Sequence, residues 1–259
     1  MKVSYLLLGM TVLVTMALWV GSSYAIDQRS IVAIYLFEEI DDGVLVDASE
    51  NERDVPIIGD GDLVESADGE FGKVLLVTRS TFAQLEGKEA EDFNLKTLTI
   101  MGWVNATGTG HRYITCKGSA GATRNFFANF NSSNELVLGY TGVVNLWNGT
   151  RLKNDRWYHF AGTYDGKMER VYVDGELGKE QVAAPPTPND RPFTVGGGVN
   201  GAFPFNDCMV DELLIANVAF SQEDIQKIMN LGIVKGTGFF AVSSAGKLTT
   251  TWARIKTPQ

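Results

Sequence analysis

Apolar and polar residues alternate with period two along most of this chain. The segment IVAIYLFEE (31–39) carries apolar residues on both faces, as a buried central strand does. In KTLTIMGWVNA (96–106), Leu98, Ile100, Gly102 and Val104 share one face and Thr97, Thr99, Met101 and Trp103 the other. RYITCKG, NFFANFN, ELVLGYT, WYHFAGTYD, ERVYVDG and MVDELLIA repeat the pattern, separated by Gly, Asn, Asp and Ser. Asp165-Gly166 and Asp174-Gly175 are hairpin signals, because type I′ turns need positive φ that these residues adopt at little cost. About ten short strands with close turns predict an all-β protein, a two-sheet antiparallel sandwich. Large rings stand on both faces of 157–164, so that strand reads as scaffold and His159 as a packed, hydrogen-bonded histidine.

One short C-terminal helix interrupts the pattern. SQEDIQKIMNLG (221–232) offers Ser221 as N-cap and Asp224 three residues on, a capping-box arrangement. Ile225, Ile228 and Met229 form its apolar stripe, and Gly232 is placed to stop it. Residues 30–232 form the predicted domain, and 233–259, richer in Gly, Ser and Thr, read as a tail.

The first 25 residues differ from the rest. Lys2 precedes an uncharged apolar run, and Ser23-Tyr24-Ala25 supplies the small residues that signal peptidase accepts. The run of about 16 apolar residues is shorter than the roughly 20 of a spanning helix. The expectation is a signal peptide over 1–25, with an uncleaved anchor as the other reading. Cleavage takes 25 of the 259 residues and leaves 234, a length that suits one all-β domain and a tail. The product is expected to be secreted or held in the cell envelope, with no membrane segment once the leader is removed.

Net charge is −9, with no run of Lys or Arg, so nucleic acid is a poor partner. Two cysteines, Cys116 and Cys208, remain in a chain bound for an oxidising compartment. An even count there favours a disulfide, and two buried thiols are the alternative.

Taken together, IVAIYLFEEIDDGVLVDASEN, GEFGKVLLV, LTIMGWV, YITCKG, RWYHFAGTYDGKMERVYVDGE and the stretch from FTVGGG to SQEDI resemble the laminin-G-like jelly rolls of the concanavalin A-like lectin/glucanase superfamily. The likeness covers about residues 31–232 and is similar to the secreted bacterial branch. It implies a jelly-roll sandwich, and a fold that hosts lectins, glycanases, adhesion modules and spacers alike.

Catalysis finds little support. The jelly-roll glucanases place acids on one strand face as E-x-D-x-x-E, and this chain lacks that pattern. Glu38 and Glu39 are adjacent, as are Asp211 and Glu212, so simple alternation sends each pair to opposite faces. GGGVNG (196–201) satisfies G-x-G-x-x-G, but AFPFND follows where a dinucleotide site needs a helix. Two histidines and two separated cysteines exclude the usual zinc spacing. No catalytic residue is assigned.

Two binding sites are expected instead. The resemblance implies calcium near the D-x-S-x-N segment, here Asp47 and Asn51, with Asp211 brought alongside if the first and last strands are neighbours. The chain departs from the family's D-x-S-G-N-G by carrying Glu50 and Glu52, and a solvated acidic loop is the competing reading. In YTGVVNLWNGT (140–150), Tyr140, Asn145 and Trp147 set rings beside amides, the composition of a carbohydrate site; a packed Trp is the alternative. The expectation is therefore a non-catalytic binding module for carbohydrate or a cell-surface protein, with calcium as a structural ion. A glycoside-active enzyme or a purely structural domain are the rival classes.

Overall fold

The computed structural model describes residues 26–59, 62–65, 72–78, 80–118, 124–139 and 146–239. These form seventeen strands: β1 (Ile31–Tyr35), β2 (Ile40–Asp41), β3 (Val44–Leu45), β4 (Val55–Ile58), β5 (Asp62–Glu65), β6 (Lys73–Val77), β7 (Phe82–Leu85), β8 (Leu98–Asn105), β9 (Arg112–Gly118), β10 (Arg124–Phe130), β11 (Leu136–Gly139), β12 (Leu146–Trp147), β13 (Trp157–Tyr164), β14 (Met168–Val173), β15 (Glu176–Val182), β16 (Phe193–Val195) and β17 (Cys208–Ala216). Every pairing is antiparallel. One sheet runs β15-β14-β13-β8-β17-β6-β5, with β1 also on β17; the other runs β12-β11-β10-β9-β16-β7-β4-β3-β2. This is the predicted two-sheet jelly-roll sandwich, and the first and last strands are neighbours, with Ile34 opposite Leu214.

The period-two pattern is realised in the packing. Ile100, Val104, Phe160, Tyr164, Val210 and Leu213 turn inward from one sheet to meet Phe126, Phe130, Leu138 and Phe193 from the other. Phe93 and Phe193 stack at 3.9 Å between ring centres, nearly parallel. Each buried ring removes on the order of 150–250 Å² from water, at about 25 cal/mol per Å². Gly162 faces Leu138 so closely that an added Cβ would lie 2.4 Å from its Cδ2, which explains a glycine in a central strand.

The predicted helix spans Gln222–Leu231 (α2), with the Ser221–Asp224 capping box formed in both directions. It is joined by two single-turn helices that no periodicity announced, α1 (Gly87–Glu91) and α3 (Ile233–Thr237). Ile225, Ile228, Ile233 and Phe239 cover the outer face of the first sheet over Met101, Ala161 and Leu214. The packed body therefore continues past Gly232 to Phe239, into what the composition assigns to the tail. Gly and Thr in 233–239 are packing residues: a Cβ on Gly236 would meet the Ile228 Cα at 2.5 Å.

Asp174 and Gly175 both adopt positive φ, 49° and 75°, the type I′ turn expected between β14 and β15. At the other hairpin only Gly166 does so, and Asp165 caps the turn through its carboxylate, which accepts Lys167 N and Met168 N. A bulge interrupts β17 between Asp211 and Leu214, with Glu212 at φ 48°. Strict alternation fails there, and both acids are buried.

Candidate functional site

The expected calcium donors Asp47, Asn51 and Asp211 each have partners within the protein. Asp47 is buried, and four protein donors consume its carboxylate: Oδ1 accepts Ile34 N and Ser49 N, both at 2.9 Å, and Oδ2 accepts Ser49 Oγ and Arg53 N. Asn51 turns its amide nitrogen to the carbonyls of Ile31 and Val32 at 2.9 and 3.1 Å. Asp211 lies within β17 and accepts the Glu212 amide at 2.8 Å. Among the described residues no three acidic, histidine or cysteine side chains gather as metal ligands. Asp47 and the Asn51 amide nitrogen are thus spent on protein partners. The D-x-S-x-N segment is an internally hydrogen-bonded turn that fastens β1 to the loop before β4.

The cysteines are two buried free thiols rather than a disulfide. Cys208 points into the inter-sheet core, whereas Cys116 sits on the outward face of the second sheet with Tyr113, Phe127 and Val137. A layer of backbone separates them. Burial pushes the Cys116 thiol up to about 12, leaving it unreactive. His159 is buried against Trp103 at 5.2 Å, edge to face, and burial lowers its pKa to about 3. Its Nδ1 has no partner among the described residues, contrary to the expected hydrogen bond, and a ring that stays neutral to so low a pH is scaffold rather than base.

Of the expected sugar-binding residues, Tyr140 and Asn145 lie outside the described residues. Trp147 is described in backbone alone, opposite Val137 on β11. The chain that continues from Trp147 builds a recess at the lateral edge of the sandwich, where β12 meets β15. Asn148 and Gly178 touch so closely that a Cβ on Gly178 would lie 2.9 Å from the Asn148 carbonyl oxygen. Between residues 148–156 and the β14–β15 turn lies a cavity of about 430 Å³, lined by Asn148, Arg156, Tyr158, Asp174, Glu176 and Leu177 among others. A second, of about 330 Å³, lies on the far side of the same loop against Asn134 and Asn154. Arg151, Leu152 and Lys153 line both.

Local chemistry fixes this loop. Leu152 is buried and exchanges hydrogen bonds with Asn134, its amide donating to Asn134 O and its carbonyl accepting Asn134 Nδ2 at 2.8 Å. Lys153 N donates to the Tyr158 hydroxyl at 3.0 Å, and Asp155 N to Ala106 O. Arg156 lies over the Tyr158 ring at 4.6 Å and reaches Asp174 Oδ2 at 3.3 Å. Asp174 Oδ1 accepts His159 N, and Glu176 accepts the side-chain amides of Gln222 and Gln226. Both carboxylates of the recess are therefore held by donors. Asn148 is only 5 % exposed, and its Oδ1 is buried with no partner among the described residues while Nδ2 donates to Thr150 O. Leu177, 41 % exposed, adds an apolar wall. The recess thus combines fixed donors, spare acceptor capacity and apolar surface.

The sequence pointed near this site through the Trp147 loop but missed Arg151, Lys153, Arg156 and Tyr158. The missed signal was RLKNDR (151–156), three cations within six residues of an acidic chain.

An antiparallel jelly roll with a loop-built recess at its edge defines a class of domain whose ligand chemistry is carried outside the core. The chain belongs to the concanavalin A-like lectin/glucanase superfamily, whose laminin-G-type family model matches residues 79–226. No curated protein matches it in sequence. Among solved structures it is similar to domain 4 of AbnA, an extracellular arabinanase of Geobacillus stearothermophilus, in complex with arabinotriose. There the TM-score is 0.62 and the identity 17 %, over 77 % of this chain and 98 % of that one. The binding domain of Paraclostridial Mosquitocidal Protein 1 is similar at TM-score 0.60 and 12 % identity, covering 78 % of this chain and 52 % of that one. A botulinum neurotoxin type C structure, described by the toxin's dependence on two ganglioside molecules for cell entry, gives 0.58 and 14 %, over 78 % and 51 %. The chain spans about half the length of the two toxin chains. At these identities the likeness shows the fold.

Proposed function

We propose that the protein is a non-catalytic carbohydrate-binding module that binds its ligand in the recess between residues 148–156 and the β14–β15 turn. The observation that carries this reading is Asn148: a buried amide whose oxygen has no partner among the described residues, beside a 430 Å³ cavity walled by Tyr158, Leu177 and fixed donors. Sugars present hydroxyls that both donate and accept beside apolar ring faces, and sites for them combine apolar walls with a few placed polar groups. The similarity to a domain solved with arabinotriose and to a toxin dependent on gangliosides supports carbohydrate as the ligand class. The apolar leader supports delivery outside the cell, where glycans are met.

A glycan array of residues 26–259, followed by calorimetry on the hits, tests the reading. Asn148→Ala and Arg156→Ala are expected to weaken binding by about tenfold each, the worth of a charge-assisted or buried hydrogen bond, with folding intact by circular dichroism. Full-strength binding in both variants removes the site. Incubation with a polysaccharide panel is expected to release no reducing ends; turnover would make the protein an enzyme.

A further inference from the structure

We infer that the saccharide taken by this recess is acidic, a carboxylate-bearing oligosaccharide whose anionic group sits on the ridge formed by Arg151 and Lys153. The inference rests on the glycan-binding reading above and adds the ligand's charge.

The argument begins with where cations stand in this chain. The protein carries a formal charge of −9, yet RLKNDR places three cations in six residues. Arg156 is partly neutralised by Asp174. Arg151 and Lys153 form no ion pair with any described residue, although both line the two cavities. Lys179 lies at the rim, close enough that a Cβ on Gly149 would meet its Cε at 2.7 Å. The acids nearby, Asp174 and Glu176, are engaged by protein donors, as described above.

The backbone beneath these cations is already ordered. Leu152, between them, is buried and pinned to Asn134 on both its backbone groups, and Lys153 N is held by the Tyr158 hydroxyl. The ridge is therefore fixed before any ligand arrives, which lowers the ordering cost of binding. Two hollows of about 430 and 330 Å³ flank a ridge whose cations form no ion pair among the described residues. That geometry suits at least two linked sugar residues, with the carboxylate over Arg151 and Lys153 and neighbouring rings in the hollows. A guanidinium and an ammonium recognise a carboxylate through charge-assisted hydrogen bonds. A neutral glycan leaves them unused.

The test compares acidic and neutral probes by calorimetry and by ¹⁵N correlation spectra of residues 26–259. 3′-Sialyllactose and trigalacturonate are the acidic probes, with lactose and galactotriose as their neutral counterparts. The acidic member of each pair is expected to bind about tenfold more tightly in 50 mM salt, and the advantage to shrink in 0.5 M salt as screening removes it. Amide shifts are expected to fall in 148–156 and 173–178. In Arg151→Gln/Lys153→Gln, both exposed positions, the acidic probe is expected to lose its advantage over its neutral counterpart. Equal binding of acidic and neutral probes to the unaltered protein overturns the acidic ligand while leaving glycan recognition standing. An acidic preference that survives the double substitution also overturns it. Failure of every glycan on the array and of all four probes removes both readings.

Discussion

Glu169 on β14 carries a stability consequence that its strand position alone does not reveal. Its side chain is fully buried at the rim of the inter-sheet core; Oε2 accepts Gln181 Nε2 at 2.7 Å, and Oε1 has no partner among the described residues. Burial raises its pKa to about 7 from 4.5, and the Gln181 bond offsets only part of that rise. The folded state thus holds this proton more tightly than the unfolded one. Stability is therefore gained as pH falls from about 7 towards 4.5, and is lowest above 7. Glu169→Gln is expected to stabilise the protein by about 2–3 kcal/mol at pH 8 and to change little at pH 4, measured by denaturant unfolding at both. An identical gain at the two pH values would show that charge is not the cause. Lys117 illustrates the same scale. It stands opposite core-facing Phe193, is fully buried, and reaches the carbonyl oxygens of Asn189 and Arg191; burial lowers it to about 8. In the sequence it looked like an ordinary residue at the end of YITCKG, because which charged groups are buried depends on partners more than 70 positions away.

Elements were legible where their cause is local. The capping box of α2, the Asp174-Gly175 turn and the two faces of β8 and β13 all follow from neighbours within a few residues, and they form as read. What was missed has non-local causes. The bulge in β17 is seated on Gly102, whose absent side chain leaves room for the carbonyls of Asp211 and Glu212, and no pattern within β17 announces it. The D-x-S-x-N turn shows the same limit. Its acids are present as read, but whether Asp47 meets a cation or backbone amides depends on how the turn folds over β1. It meets amides. Asp47→Ala strands the N–H groups of Ile34, Ser49 and Arg53 and is expected to cost about 3–5 kcal/mol. Addition of a chelator to the unaltered protein is expected to leave the melting midpoint where it was. A fall in that midpoint would restore a cation to this turn.

At the scale of the molecule, the architecture was readable because short strands leave a dense period-two signature, and the family through the resemblance of stretches such as RWYHFAGTYDGKMERVYVDGE. The candidate recess was readable only in outline. Its walls come from β12–β13, the β14–β15 turn and Asn134, which the sheets bring together from separate stretches of chain. The cysteine pairing failed for a similar reason: an even count in a chain expected to be exported favours a bond, but the sheets set the two sulfurs on opposite sides of a layer. A thiol reductant is accordingly expected to leave the melting temperature unchanged, and both thiols to label with maleimide only after unfolding.

The position of β17 also dictates when this molecule can come into being. It lies between β8 on one side and β6 and β1 on the other, so the strand nearest the start of the sheet waits for one completed some 180 residues later. A chain emerging from a ribosome or a translocation pore cannot close this eight-stranded sheet until residue 216 is free. Until then β1 and β8 expose edges that only the last strand can seal, so folding is expected to be slow, late and all at once.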